Sequence, residues 1–105
     1  MKLGKKQELF SRLMIKLYQK AFDLGYEIRT GHVMRCKECY TGRKYSNHKL
    51  KLAVDLNLFK DGDFLTSTED HRELGEYWES LHELCSWGGH FNDGNHYSLK
   101  HNGRR

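Results

Sequence analysis

The 105-residue chain contains no proline, so no native X-Pro bond can slow its folding. Cysteine is scarce and odd in number, with Cys36, Cys39 and Cys85 the only three. In a reducing compartment such cysteines read as thiols or metal ligands rather than a disulfide framework. No stretch approaches the roughly 18 apolar residues of a membrane span. The basic start, Met1-Lys2-Leu3-Gly4-Lys5-Lys6, has no apolar core behind it, because Arg12, Lys16 and Lys20 interrupt the next segment. A signal peptide is therefore not expected. Synthesis in the cytoplasm, with no export route of its own, is. Internal repeats, low-complexity segments and linkers are also missing, and strands and helices do not alternate in the βαβ rhythm of a parallel sheet.

What is present suits one small domain over residues 1–105, with a basic tail from about residue 100. A chain of this size buries only about two-thirds of the surface its unfolded form exposes. It can build one modest core, which a bound metal would help to hold. Hydrophobic residues make up 37% and charged residues 30%, enough apolar content to fold. The net charge of +4 and pI near 9.0 fit an anionic partner, and fit plain solubility equally well.

Leu9, Leu13, Leu17, Ala21 and Leu24 recur at helical spacing and predict a helix over residues 5–24, with Gly25 as its left-handed cap. Residues 26–35 read as extended, with a break at Gly31. Cys36 to Arg43 reads as a helical turn or a loop. From residue 50 to 59, Leu52, Val54, Leu56 and Leu58 alternate with Ala53, Asp55 and Asn57, the period of a half-buried strand. Asp55 then points away from the core. Asp61-Gly62 marks a hairpin turn, with a short returning strand at Phe64-Leu65. Ser67 and Asp70 form a capping pattern before a helix that carries Leu74, Tyr77, Trp78, Leu81 and Leu84 and runs to about Cys85. Beyond Trp87, Gly and Asn predict loop with at most a short strand near Phe91 or Tyr97. The class is α+β, a small antiparallel sheet with packed helices.

Two stretches carry chemistry. Ser46-Asn47-His48 runs into the strand that holds Asp55, and Asp93-Gly94-Asn95-His96 lies in a Gly/Asn-rich turn. His48, Asp55 and His96 make a natural trio for a catalytic zinc, which keeps three protein ligands and leaves one position for water. Two neutral imidazoles and one carboxylate leave the centre net positive. Asp93 can reach the same cavity as a base without being a ligand.

At these residues the sequence resembles the M15 family of zinc peptidases, the D-Ala-D-Ala carboxypeptidase and dipeptidase group, and most of all its phage endolysin branch of L-alanyl-D-glutamate peptidases. The family pattern Ser-x-His-x-x-Gly-x-Ala-x-Asp is met by Ser46, His48, Ala53 and Asp55. An acidic residue three before a final His is met by Asp93 and His96, after Trp87-Gly88-Gly89. The resemblance covers roughly residues 26–98. It implies the DD-peptidase/hedgehog-like zinc peptidase fold, with Zn2+ as cofactor and the peptidoglycan stem peptide as substrate. It further implies that Asp93 passes a proton from water to the leaving amine. On the same resemblance, Arg35 is expected to stabilise the transition state, with Arg29 as the alternative, and Ser46, Lys51, Trp87 and His90 are expected to contact substrate. Arg43 and Lys44 read as ordinary solvated charges. Lys51 departs from the pattern, standing where the family has glycine. Endopeptidase cleavage is favoured over carboxypeptidase action, by a monomer with no nucleic-acid partner. The enzyme is expected to reach the cell wall after release from a phage-infected host and to bind it through its own positive charge.

Two other classes remain open. Cys36-Lys37-Glu38-Cys39, completed by Cys85 or His90, would make a zinc-ribbon module that binds nucleic acid. A catalytically silent binding domain would keep the fold without the reaction, which the presence of Asp93 disfavours.

Overall fold

The computed structural model describes residues 1–31 and 52–101. The expected N-terminal helix is α1, Leu3–Asp23, whose Phe10, Leu13, Leu17 and Ala21 are buried. It ends as Gly25 predicts. The Gly25 N–H donates to the Phe22 carbonyl and the Tyr26 N–H to the Ala21 carbonyl, both at 3.0 Å. Gly25 itself sits at φ 90°, where a side chain would be strained.

The sheet is antiparallel, in the order β1 (Glu27–Thr30), β2 (Ala53–Lys60), β5 (His96–Leu99), β4 (Cys85–Trp87). β3 (Asp63–Leu65) pairs with the last residues of β2 through a turn whose Asp61 and Gly62 both take positive φ. β2 is the centre. One edge pairs with β1, while the other is shared, with β5 on residues 53–55 and β3 on residues 58–60.

Alternation along β2 sorts the two faces. Leu52, just before the strand, and Val54, Leu56 and Leu58 within it are fully buried against α1 and against α2 (Arg72–Leu81). Each such burial contributes roughly 1.5–3 kcal/mol. Trp78 anchors α2 by edge-on contacts with Phe10 and Tyr97 and by donating Nε1–H to the Ser98 carbonyl at 3.0 Å. Asp55 and Asn57 face the other way.

Several expectations need correcting. The Ser67–Asp70 box does form, with each backbone N–H donating to the other's side chain at 3.2 Å, but it opens a 3-10 turn at Glu69–His71 before α2. α2 stops at Leu81 rather than near Cys85. The spacing of Leu81, Leu84 and Cys85 suits a helix, yet His82 is extended and Cys85–Trp87 pairs with β5. Strand pairing therefore satisfies the backbone that a longer helix would have used. The start of the basic tail is tied to α1, where Lys6 Nζ donates to the Lys100 carbonyl at 3.1 Å and contacts His101 Nδ1 at 3.0 Å. Residues 102–105 lie outside the described residues.

Gly75 decides how α2 meets the sheet. A Cβ there would fall 2.1 Å from the buried Trp87 ring. Alanine normally stabilises a helix interior by about 1 kcal/mol over glycine. Here the overlap wins: Gly75→Ala should destabilise the domain by roughly 1–3 kcal/mol, read as a lower midpoint in chemical denaturation.

Candidate metal centre and cleft

The register of β2 against β5 sets Asp55 directly opposite His96. Both side chains lie on the face away from the leucine core, with Asp55 Oδ1 3.5 Å from His96 Nδ1 and exposures of 15% and 7%. That distance is at the far limit of a hydrogen bond. It also matches the roughly 3.4 Å that separates two ligand atoms about 2.1 Å from a tetrahedral zinc. One carboxylate oxygen and one imidazole nitrogen are donors that zinc takes readily. The pair therefore fits two of the three expected ligands. Among the described residues no group of three His, Cys, Asp or Glu side chains gathers. The third expected ligand, His48, lies outside those residues, as do Arg35, Ser46, Lys51, Cys36 and Cys39.

The approach to this pair is shaped by two glycines. A Cβ on Gly31 would stand 3.1 Å from both Asp55 Cβ and its carbonyl oxygen, and the Gly31 N–H donates to that carbonyl at 2.7 Å. At Gly88 a Cβ would sit 2.1 Å from the Asp93 carbonyl and 2.7 Å from His96 Cβ. The loop closes through the Asp93 N–H to the Gly88 carbonyl at 2.8 Å and the His96 N–H to the Asp93 carbonyl at 3.1 Å. Asn92, left-handed at φ 60°, turns the chain between them. Asp93 is thus held three residues from His96 and exposed on the same turn.

Asp93 borders a polar cleft of about 190 Å³ together with Asn57, Thr68, His71 and Asn95. The cleft opens where the edge of β2 passes from β5 to β3, with Leu56 N–H bonded to the Asn95 carbonyl at 2.9 Å. At one wall His71 is buried, its Nδ1 2.8 Å from the Tyr97 hydroxyl. Loss of solvent pulls the His71 imidazole down to about 4, against the upward pull of Asp70 and the Leu65 backbone. The same burial pushes the Tyr97 phenol above its usual range.

Trp87, expected to contact substrate, turns to the core side of β4 and is only 2% exposed. Its Nε1–H donates to the Gly94 carbonyl at 2.7 Å, so the ring braces the Asp93–His96 turn from behind. His90 is half-exposed and meets Glu79 at 2.8 Å; that carboxylate also accepts the Trp87 N–H at 3.1 Å. Nothing in the spacing of Glu79 announces this role. Asn57 was the more legible omission, since it is two residues beyond Asp55 on an alternating strand. Arg29, the alternative to Arg35, faces Asn57 across the strands and holds its guanidinium 4.1 Å from the Phe59 ring centroid.

The ribbon reading loses its described members. Cys85 is buried in the apolar core, where desolvation pushes its thiol up to about 12, and His90 is engaged by Glu79.

A family model described as D-alanyl-D-alanine carboxypeptidase, Peptidase_M15_4, matches residues 40–99 of the chain. That span includes His48, Asp55, Asp93 and His96. A search of curated proteins found no match.

The buried His71 sets a pH dependence. In the unfolded chain its ring takes a proton below about 6.5, whereas in the fold it stays neutral down to about 4. Its contribution to stability is therefore complete above pH 6.5 and is lost as pH falls towards 4. Denaturation curves across that window should flatten by about one bound proton in His71→Asn relative to the parent.

Proposed function

The chain belongs to the M15 peptidase family, and on that footing we propose that it is a zinc-dependent peptidase that hydrolyses a peptide bond in the stem peptide of peptidoglycan. The observation that supports this best is the meeting of Asp55 and His96 across β2 and β5, inside the matched span and beside the turn that carries Asp93. His48, Asp55 and His96 are the residues to hold the metal. When bound, zinc polarises a scissile carbonyl and lets water act as a nucleophile near neutral pH.

The chain's own groups divide the remaining work. Asp93, exposed on its turn, takes a proton from the attacking water and delivers it to the leaving amine nitrogen. Arg35 stabilises the charge that develops on the carbonyl oxygen. Trp87 and Gly88 fix where Asp93 and His96 stand relative to each other. Ser46, Lys51 and the half-exposed His90 are left to contact the peptide, with a monomer as the working unit.

Cleavage between L-alanine and D-glutamate is the favoured reaction, on the endolysin-like pattern of Ser46, His48, Ala53 and Asp55. The description of the matching family supports removal of a terminal D-alanine as the second reading. A muropeptide digest resolved by mass spectrometry separates the two by the fragment released. On the favoured reading the enzyme is made inside a phage-infected cell and meets the wall after release.

Asp93→Asn should keep about one zinc per chain while muropeptide cleavage falls by roughly 10²–10⁴. His96→Ala should lose the metal as well. Metal content by elemental analysis, set beside the cleavage rate, checks both. Full activity in Asp93→Asn, or zinc retained unchanged in His96→Ala, would overturn the assignment.

A further inference from the structure

The cleft beside Asp93 has a chemistry that the reaction itself does not require. Beside Asp93 and His71, its polar lining is asparagine and threonine, Asn57, Asn92 and Asn95 with Thr66 and Thr68. Among the described residues, neither lysine nor arginine lines it. Its one carboxylate there is Asp93, and Asp70 lies close enough to act on His71 from behind. Arg29, a cation on this face of the sheet, is stacked on Phe59. Two side-chain pairs already show how the amides work: Asn95 Nδ2 donates to Asn57 Oδ1 at 3.4 Å, and Thr68 Oγ1 to Asn92 Oδ1 at 3.5 Å. Both bonds are long, so a ligand with a better donor and acceptor can replace them.

We propose that this cleft is a specificity subsite for an uncharged carboxamide, so that the enzyme prefers substrate in which the carboxyl group next to the scissile bond is amidated. The proposal rests on the peptidase reading above and adds the substrate group. Asn57 is two residues beyond Asp55 on the same strand face, about 7 Å along β2. A substrate residue spans about 3.5 Å when extended, so the cleft receives a group within one or two residues of the bond that is cut. A carboxamide offers one acceptor and two donors, matching asparagine amides that present the same set reversed. A carboxylate has only acceptors and would stand beside the Asp93 carboxylate, like charge against like. Among the described lining residues, His71 is neutral near pH 7 and adds no positive charge at this wall.

The test uses the zinc-loaded full chain and two synthetic stem peptides that differ only in a free or an amidated carboxyl group next to the scissile bond. The amidated peptide should be cut with a kcat/KM at least about tenfold higher. In the same pair, Asn57→Lys should shift the ratio towards the free carboxylate by about an order of magnitude. Side-chain NH₂ signals of Asn57, Asn92 and Asn95 in NMR should move with the amidated peptide and not with its partner. The same signals titrated with N-acetylglucosamine separate a stem carboxamide from a sugar N-acetyl group as its source. Movement without cleavage would uphold the subsite and sink the peptidase reading. Cleavage of both peptides at equal rates, with the asparagine signals still, would overturn the subsite and leave the peptidase reading standing.

Discussion

The β2–β5 register is the constraint on which the rest of this structure depends. Because side chains alternate along a strand, a slip of one residue would turn Asp55 and His96 towards the leucine core and Val54 and Tyr97 out of it. Hydrophobic burial thus specifies polar geometry. The apolar residues along β2 cannot be placed inside without placing Asp55 outside, opposite His96. The energy that fixes the pair comes from side chains that never touch it.

The two faces of the sheet divide the labour. Trp78, Trp87 and Tyr97 fill the side that α1 and α2 cover, and each tryptophan spends its N–H on a backbone carbonyl of the turn or strand that carries His96. Rigid aromatic packing on one face therefore positions a histidine and a carboxylate on the other. Gly75 and Gly88 mark the points where this arrangement leaves no space for a methyl group. Gly75 is pressed against the Trp87 support, and Gly88 against the backbone of Asp93 and the Cβ of His96.

Much of the fold was legible because single-strand and single-helix patterns were strong. The stripe of α1, the alternation of β2, the Asp61-Gly62 turn and the Ser67–Asp70 box each come from local spacing. What was not legible depended on partners distant in the chain. Leu84 and Cys85 fit a helix until β5 supplies strand bonds, and Trp87 reads as a cleft aromatic until Gly75 opens a slot for it on the core side. Glu79 is unremarkable in sequence and acquires meaning only beneath His90. Of the expected zinc ligands, Asp55 and His96 stand 3.5 Å apart, while the stretch that carries His48 lies outside the described residues.

The Asp55–His96 pair joins the middle of the chain to a strand made much later, since β5 comes after every other described strand. Such a long-range pairing gains nothing until the intervening loop has been closed. A nascent chain that has emerged only through α2 holds Asp55 but has no imidazole opposite it. The meeting of these two side chains therefore waits until β5 has left the ribosome. A site built on this pair is completed only late in synthesis, by the order of its strands.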